Sequence, residues 1–496
     1  MYSPRPYLSK SRLISAWQCP KRLYLEKFRP DLAEITDATR ALFATGHEVG
    51  AVAKRLYGTP DAVEIPFDRR MSRMVDATRE LLASGARNPI FEATFEHDGI
   101  LVRADVLMPS RDAWRLVEIK ASTSIKDYHV LDCAIQEWVL RNAGVQLTSI
   151  HLAHINNRFV YPGDGDHAGL FAEHDLTEEV QIVDPRVDDL VASARDAIAG
   201  GMPEVNVGAQ CSNPFECPFI NFCWPMDTKY PVSGLGGSKA KLGQYVAAGY
   251  RDICDVPAEE ISAQTQLRIH RVTCAGEPEI LDGARETLSA LDHPRYYLDF
   301  ETIAPAVPFW AGTRPYKVIP VQWSCHIDDG TGNGSYRAMR HEEFLDLSGS
   351  PPMRALAESL IETLNGTGPV LMYTNYEERV IRNLIDLFPD LKRDLGKIVD
   401  RLFDLYPVVK DNYYHPDMLG SWSIKAVLPT INPDMDYKKL EGIQEGTAAS
   451  NGFLEAISPD TDMVRKLELE EQLRRYCRFD TEAMAEIVRF FADGPD

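Results

Sequence analysis

Two carboxylates and a lysine lie close together early in the sequence, on two segments that have the pattern of neighbouring strands. Asp105 lies in LVRADVLM, and Glu118 and Lys120 lie in WRLVEIKAS. Because side chains alternate along a strand, Glu118 and Lys120 share one face, and Asp105 can meet them across the sheet. Carboxylates bind a hard divalent cation that activates a water, and a lysine supports the developing negative charge. The set suits phosphodiester hydrolysis, although a Glu–Lys pair on a surface strand has the same spacing.

A second set of carboxylates lies later in the sequence. Asp299 and Glu301 are two positions apart in the apolar, strand-like segment YYLDFETI and share one face. Carboxylates on a buried strand are unfavourable unless they are paired or bind cations. Tyr476 and Asp480, in RRYCRFDTEAM, are four positions apart in a helical pattern and share a helix face. Glu377 lies between these two segments of the sequence, in MYTNYEERVI, where a strand end leads into a helix. A solvated strand end is the alternative interpretation of the first pair.

Four of the nine cysteines form a metal-ligand pattern. Cys211, Cys217 and Cys223 are clustered in CSNPFECPFINFCW, and Cys19 precedes them by nearly the length of a domain. Three thiols so close together are hard to explain as core packing and predict a metal site with Cys19 as the fourth ligand. The layout lacks the paired C-x2-C knuckles typical of zinc, which favours an iron–sulfur cluster, with Zn²⁺ as the alternative. The other cysteines are scattered and are predicted to be packing residues: Cys133, Cys254, Cys274, Cys325 and Cys477.

The elements that must position these residues fall into three stretches. Residues 1–226 combine helix-like segments, strand-like runs and the cysteine triplet. Residues 227–290 contain a Gly/Ser/Lys turn region and short helix-like pieces. Residues 291–496 begin with an apolar strand and end in a helical pattern from about Met463 to Phe491. The sequence therefore predicts two α/β domains, each with a mixed central sheet flanked by helices, joined by a helical connector.

Composition limits the classes of protein that remain. The 496 residues are 44% hydrophobic and 26% charged, as in a globular chain of two or three domains. A formal charge of −21 argues against non-specific coating of DNA but allows one local binding channel. No apolar run has the length of a membrane span, and MYSPRPYLSKSRL lacks the apolar core of a signal peptide. We therefore expect a cytoplasmic protein without a disulfide framework.

The order of the first set of residues resembles the RecB-like branch of the PD-(D/E)xK nucleases. A G-H pair in ATGHEV comes first, the D and E-x-K residues follow, and a glutamine lies in the helical segment HVLDCAIQEWVLR. The resemblance implies a restriction-endonuclease-like fold that uses Mg²⁺ or Mn²⁺. Leu140 is a departure, because the family often has an aromatic residue there. The implied roles are metal binding by His47, Asp105 and Glu118, catalysis by Asp105, Glu118 and Lys120, and substrate binding by Gln136.

The one-plus-three cysteine layout resembles the RecB-like exonucleases of the AddB type. In those proteins the four cysteines hold a 4Fe–4S cluster that ties together the two ends of the nuclease domain. The same arrangement here would close a very long loop and so constrain the unfolded chain. Lys21 and Arg22, beside Cys19, are candidate DNA contacts, with a solvated helix face as the alternative.

The second set resembles the DnaQ-like (DEDD) exonucleases of the RNase H-like superfamily, with D-F-E-T as the first motif and Y-x3-D as the third. Glu377 stands where the family usually has Asp, and Asp404 in RLFDLYPVV is a nearby carboxylate whose alternative role is structural. Ser423 and Lys425 lie in a segment similar to the region before the third motif, where Lys425 is a candidate substrate contact. The resemblance implies two metal ions held by Asp299, Glu301, Glu377 and Asp480, with Tyr476 orienting the attacking water.

The whole layout resembles an uncharacterised two-part nuclease family. The resemblance implies a metal-dependent nuclease, most simply a DNA exonuclease of repair, recombination or defence. Nucleic acid is the expected partner, with a helicase partner by analogy only, and the connector is similar to helix-hairpin-helix modules. Two alternatives stay open. In one, only the first site cleaves and the second domain is a nucleic-acid clamp. In the other, the protein is a non-catalytic iron–sulfur protein that binds nucleic acid or senses redox state.

Overall fold

The computed structural model describes residues 8–332 and 334–493. The chain forms two compact units. Unit 1 contains residues 1–224 and 305–317, and unit 2 contains residues 225–304 and 318–496. Within the described residues, none of the helices combines the length and apolar character that a membrane span requires.

Unit 1 begins with helices, continues with a meander of strands and ends with helices. Its helices are α1 (Lys10–Gln18), α2 (Pro20–Phe28), α3 (Asp37–Tyr57), α4 (Met71–Ala83), α5 (Asp127–Asn142), α6 (Thr177–Val183), α7 (Val187–Ala199) and α8 (Ile220–Cys223). Its strands are β1 (Leu8–Ser9), β2 (Val63–Glu64), β3 (Ile90–His97), β4 (Ile100–Ser110), β5 (Ala113–Lys120), β6 (Leu147–Ile155) and β7 (Phe171–Asp175).

The sheet of unit 1 has the order β2-β3-β4-β5-β6-β7, with β1 pairing separately with β4. Strands β3, β4 and β5 are antiparallel neighbours, whereas β5 and β6 run parallel. Parallel neighbours need a crossover, and α5 supplies it by running between β5 and β6. Apolar side chains of β3, β4 and β5 form a core with α5, in which Leu116, Ile135 and Val139 are fully buried. Because α5 packs on the strands, its polar positions can be brought close to those of β5.

Unit 2 carries the connector region and the second sheet. Its helices are α9 (Lys239–Ala247), α10 (Gln264–Ala275), α11 (Gly283–Ser289), α12 (Met353–Thr363), α13 (Tyr376–Leu387), α14 (Lys392–Val399), α15 (Leu405–Asn412), α16 (Ile424–Ile431), α17 (Gly446–Ile457) and α18 (Met463–Asp493). Its strands are β8 (Glu279–Ile280), β9 (Arg295–Ile303), β10 (Ile319–Asp328), β11 (Arg340–Leu345), β12 (Val370–Met372), β13 (Leu402–Asp404) and β14 (Tyr413–Tyr414).

The main sheet of unit 2 has the order β11-β10-β9-β12-β13, so β9 lies at its centre. Strand β10 is antiparallel to both β9 and β11, whereas β9, β12 and β13 are parallel. The long helix α18 packs on β9 and β10. Its buried residues include Leu473, Tyr476 and Asp480, at intervals of three and four that form one face. A small sheet pairs β14 with β8.

The mixed α/β architecture of both units confirms the predicted fold class. The predicted strands appear as β4, β5 and β9, and the predicted C-terminal helix appears as α18. Residues 227–290, predicted as a helical connector, contain short helices and the short strand β8, and they cluster with unit 2. One expectation about the cysteines is wrong: Cys254 and Cys274 form a disulfide, which joins the turn at Ile253–Asp255 to α10. Sequence spacing did not suggest this pair because the two sulfurs meet only when the segments fold together.

Candidate functional sites

The first candidate site lies where β4, β5 and α5 meet in unit 1. Glu118 and Lys120 lie at the end of β5 and Asp105 lies in the middle of β4. The backbone N–H of Ile119 donates to Oδ2 of Asp105 at 2.8 Å, which holds this carboxylate against β5. The structure therefore brings Asp105, Glu118 and Lys120 together as the spacing predicts.

Glu118 is the most enclosed member of this site, with only 1% of its surface exposed. Its Oε1 accepts hydrogen bonds from Nζ of Lys10 and of Lys120, both at 2.7 Å. Its Oε2 accepts from Nε2 of Gln136 on α5 at 2.8 Å. A buried carboxylate with three donors is well satisfied, and Gln136 holds Glu118 in place in addition to any contact with substrate.

Two residues of this site were not predicted. Lys10, at the start of α1, also forms an ion pair with Asp132 Oδ1 at 3.1 Å, and Lys120 binds the other oxygen of Asp132. Asp132 lies four positions before Gln136 on α5, so helix spacing was a usable signal for it. Lys10 carried no such signal, because only the pairing of β1 with β4 brings the start of the chain to this site.

Charge balance explains the protonation of the site. Burial alone would raise the pKa of Glu118, but the charges of Lys10 and Lys120 outweigh it and hold that pKa below its ordinary value. Burial and the neighbouring charge of Glu118 raise the pKa of Asp105 to about 7. The pKa values of both lysines are raised, because their carboxylate partners outweigh the effect of burial. Glu118 is thus ionised at neutral pH, and Asp105 is close to its titration point.

His47 lies apart from this cluster. It is exposed on α3 and lines a groove of about 1900 Å³ together with Asp105 and Lys120. Its ring nitrogens do not form a compact ligand group with Asp105 and Glu118 among the residues that the structure describes. Leu140, where the family often has an aromatic residue, is fully buried on α5. The groove is thus the feature that links His47 to the predicted metal ligands.

The four predicted cluster cysteines line one cavity in unit 1. Cys19 separates α1 from α2, and Cys223 ends α8. The N–H of Cys217 donates to the carbonyl oxygen of Cys211 at 2.9 Å, which folds the triplet into a tight turn. Gln18 was not predicted, yet its Nε2 donates to the carbonyl oxygens of Gln210 and Phe215, both at 2.7 Å. These bonds fasten α1 to the turn.

The donor set of this cavity is four thiols. Thiolates are ligands of both tetrahedral zinc and iron–sulfur clusters. The chemistry of the lining therefore fits either metal, and the one-plus-three layout of the cysteines in the sequence is what favours a cluster.

The surroundings of the cysteines are mixed in charge. Burial raises the pKa of Cys217 to about 11, so this thiol keeps its proton at neutral pH unless a metal ion displaces it. Lys21 places its Nζ 5.7 Å from the ring centre of Phe222, and Arg22 forms an ion pair with Glu26 at 2.8 Å. Both residues line the cysteine cavity, and Arg22 also lines the groove.

The second candidate site is built on β9 in the centre of the unit 2 sheet. Asp299 and Glu301 share one face of β9, and Cys477 on α18 lies against them. The thiol of Cys477 donates to Oδ2 of Asp299 at 3.7 Å. Cys477 had been predicted as an ordinary packing residue, and the structure places it in this ligand group instead.

Glu377 lies in the first turn of α13, which follows β12 after a short connecting turn. Thr374 precedes it with φ +87°, a region that costs a non-glycine residue about 1–3 kcal/mol and is held here by Asp404. Oδ1 of Asp404 accepts from the N–H groups of Thr374 at 3.0 Å and of Tyr406 at 2.8 Å. Asp404 is thus a helix cap that shapes the turn before Glu377. Oε2 of Glu377 is buried and has no hydrogen-bond partner among the described residues.

Asp480 on α18 lies near enough for its charge to raise the pKa of Asp299, but the compact ligand group among the described residues is Asp299, Glu301 and Cys477. The hydroxyl of Tyr437, which was not predicted, donates to Asp480 Oδ1. Lys425 on α16 places its Nζ 5.2 Å from the ring centre of Tyr476 and 5.0 Å from that of Tyr437. The same Nζ donates to the carbonyl oxygen of Gln444 at 2.8 Å. Ser423 is the exposed N-cap residue of α16.

Burial and mutual repulsion dominate this site. They raise the pKa values of Asp299 and Glu301 well above their ordinary values. Burial, with the charges of Asp404 and Asp480, raises the pKa of Glu377 to about 8. Burial raises the pKa of Asp480 to about 6, against the lowering effects of Tyr437 and Lys425. One nearby lysine does not neutralise four carboxyl groups, so the set is suited to divalent cations.

Parts of the chain are similar to known proteins. Residues 296–423 match the model of a family described as Domain of unknown function (DUF2779). That stretch contains all of β9 except its first residue, includes Glu377 and ends before α18. The chain is also similar to the Uncharacterized protein MG366 homolog of Mycoplasma pneumoniae, with 25% identity over 219 residues. The match covers 41% of this chain and 33% of that protein, so the chain spans about a third of the relative's length.

Among solved structures, the chain is similar to one described as "Crystal structure of SSO0001". The sequence identity between the two chains is 17% and the TM-score is 0.23. The match covers 45% of this chain and 88% of that chain.

Proposed function

We propose that the protein is a metal-dependent nuclease with two catalytic centres, a RecB-like centre in unit 1 and a DnaQ-like centre in unit 2. The observation that carries the proposal is the set of four carboxyl groups in unit 2. They come from three separate elements, and one of them, Glu377, has a buried oxygen without a hydrogen-bond partner among the described residues. Such a set is unfavourable by itself, and divalent cations relieve its repulsion.

In unit 2, Asp299, Glu301, Glu377 and Asp480 would hold the cations. When bound, these cations supply positive charge to the attacking and leaving oxygens of phosphodiester hydrolysis. Tyr476 is buried beside the carboxyl groups and burial raises its pKa, so its hydroxyl stays protonated and can orient a water. Tyr437 holds Asp480 in position, and Lys425 supplies a positive charge near the carboxylates. The mixed sheet with β9 at its centre supports the RNase H-like fold that the sequence resemblance implies.

In unit 1, Asp105 and Glu118 would hold the cation, and His47 is the outlying candidate ligand across the groove. Glu118 is already engaged by Lys10, Lys120 and Gln136, so binding of a cation requires at least one ammonium group to move away. Lys120 is then free to support the attacking water or the developing charge. The antiparallel β4–β5 pair, followed by the α5 crossover from β5 to the parallel strand β6, supports the restriction-endonuclease-like fold.

Cys19, Cys211, Cys217 and Cys223 would hold a 4Fe–4S cluster, with Zn²⁺ as the alternative occupant. A cluster there would clamp α1 to the turn that contains the triplet and so reinforce the bonds made by Gln18. Its role in this proposal is structural. Protein purified without oxygen should show visible absorption and about four irons per chain, and Cys223→Ser should lose both.

The proposal is tested by a cleavage assay with end-labelled single-stranded and duplex DNA, and with a matched RNA. Protein purified without oxygen is assayed in EDTA, Mg²⁺ or Mn²⁺. We expect metal-dependent shortening of the DNA, and the position of the label then shows the polarity. Asp105→Asn and Asp299→Asn separate the two centres, with Asp196→Asn on α7 as a matched control away from both sites.

The outcomes distinguish the alternatives. Loss of all cleavage in Asp105→Asn, with Asp299→Asn unaffected, would make unit 2 a nucleic-acid clamp. Binding that responds to oxidation of the cluster, without cleavage of DNA or RNA, would replace the nuclease by an iron–sulfur binding protein. Loss of part of the activity in each variant is the result that supports two working centres.

A further inference from the structure

A segment from elsewhere in the sequence completes the groove above the first site. Residues 305–317 fall between β9 and β10 in the chain but belong to unit 1. The carbonyl oxygen of Tyr161 accepts from the N–H of Gly312 at 2.8 Å, and the N–H of Tyr161 donates to the carbonyl oxygen of Thr313 at 3.0 Å. A ring nitrogen of His167 lies 3.1 Å from the carbonyl oxygen of Pro308. These contacts fix the segment in unit 1.

The end of this segment lies directly beside the first site. The hydroxyl of Tyr316 donates to the carbonyl oxygen of Ala121, the residue after Lys120. Tyr316 has φ +57°, a conformation that costs a bulky residue about 1–3 kcal/mol and needs support from its surroundings. Arg314, Tyr316 and Lys317 all line the groove together with Asp105 and Lys120. The strained turn therefore directs a basic, aromatic stretch toward the predicted metal ligands.

Three cations of the groove are already paired with carboxylates. Arg22 pairs with Glu26, Lys54 with Glu64 and Glu92, and Lys120 with Glu118 and Asp132. Arg314 and Lys126 differ, because neither forms an ion pair with any described residue. Arg314 is exposed in the groove, and Lys126 lies at the start of α5, with its Nζ 5.9 Å from the ring centre of Tyr128. Two cations without carboxylate partners, far apart in sequence but lining the same groove, are available for phosphate groups.

Exposed rings accompany these charges. Phe43 on α3 is 61% exposed and Phe215 in the cysteine turn is 37% exposed, and both line the groove. Leu42 and Ile35 are exposed in the same groove, and a contiguous exposed apolar surface rimmed by polar groups is typical of a binding groove. Aromatic rings next to unpaired cations are the combination that holds a nucleic-acid strand, with bases stacked on the rings and phosphates on the cations.

We propose that residues 305–317 form a substrate-binding element of the first site, in which Arg314 works with Lys126 to bind the phosphates of a nucleic-acid strand in the groove. This inference rests on the proposed nuclease function. It adds a binding site that the RecB-like sequence pattern does not contain, because Arg314 comes from the part of the sequence that encodes the second sheet. Unit 1 is then incomplete without a piece of chain that follows β9.

The test measures binding and not cleavage. A fluorescently labelled 20-nucleotide single-stranded DNA and the RNA of the same sequence are titrated with the full-length protein in EDTA, at several salt concentrations. We expect Arg314→Ala to weaken binding about tenfold and to reduce the slope of log K against log salt by about 1. Lys126→Ala should act similarly, and the double variant should show the product of the two effects. Arg314→Lys, which keeps the charge, should recover most of the affinity.

Arg79→Ala is the matched control, since Arg79 is exposed on α4, pairs with Asp76 and does not line the groove. If the unmodified protein binds and Arg314→Ala behaves like Arg79→Ala, the inference is wrong and the nuclease proposal stands. If the unmodified protein binds neither DNA nor RNA and does not cleave them, both fail. An unchanged thermal midpoint of Arg314→Ala shows that its effect on binding is not a loss of folding.

Discussion

Replacing Glu377 by glutamine should stabilise the metal-free protein. The fold raises the pKa of Glu377 from 4.5 to about 8, through burial and then the charges of Asp404 and Asp480. The folded chain therefore holds a proton on Glu377 between those pH values, whereas the unfolded chain has released it. The stability that Glu377 contributes is thus highest below pH 4.5 and is lost as the pH rises toward 8.

The magnitude follows from the interval between the two pKa values. Each pH unit above 4.5 lowers the free energy of unfolding by about 1.36 kcal/mol, because only the unfolded chain releases the proton of Glu377. At pH 7 the contribution of Glu377 to the free energy of unfolding is therefore lower by about 3 kcal/mol than it is near pH 4.5. Glu377→Gln keeps the shape of the side chain and removes its titration. In EDTA the variant should be more stable than the unmodified protein by about 3 kcal/mol at pH 7, and the two should be equally stable near pH 4.5.

The assay is guanidinium unfolding of the full chain. Hydrogen–deuterium exchange in peptides from β12 and α13 is the readout of unfolding around Glu377. Glu378→Gln is the matched control, because Glu378 is the next residue of α13 and pairs with Arg382 at the surface. Mg²⁺ or Mn²⁺ should then stabilise the unmodified protein more than Glu377→Gln, since the variant lacks one ligand. A variant that is less stable at pH 7, or whose difference in stability does not change with pH, would refute this account of the site.

Three further outcomes test other parts of the structure. Burial lowers the pKa of His326 to about 3, so acidification from pH 6.5 to 5 should cost the unmodified protein about 2 kcal/mol of stability relative to His326→Asn, measured by urea unfolding of both proteins. A stability difference between the two proteins that does not change with pH would contradict it. Lys10→Met should lower the free energy of unfolding by about 3 kcal/mol, because Glu118 and Asp132 then share one cation, and unchanged denaturant midpoints would count against it. Reducing the Cys254–Cys274 disulfide, which closes a loop with a separation of 20 residues, should lower stability by about 3 kcal/mol, whereas Cys254→Ser should show no response to reductant.

The features that sequence alone predicted lie within single elements. Glu118 and Lys120 share a face because strand side chains alternate, and Asp299 and Glu301 do so for the same reason. Tyr476 and Asp480 share a helix face because they are four apart. The strands and α18 were predictable because their apolar residues repeat with the period of the element. These regularities depend only on local backbone geometry, which is the same in every protein.

The features that only the tertiary structure decided join elements far apart in the chain. Lys10 meets Glu118 across 108 positions, and Tyr437 meets Asp480 across 43. Arg314 follows β9 in the sequence but lines the groove of unit 1. Cys254 is joined to Cys274 of α10, which lies 20 positions later in the sequence. No spacing rule predicts such meetings, because the path of the chain between the partners is set by the packing of the whole core. The sequence determined which faces carry reactive groups, and the fold determined which of those faces meet.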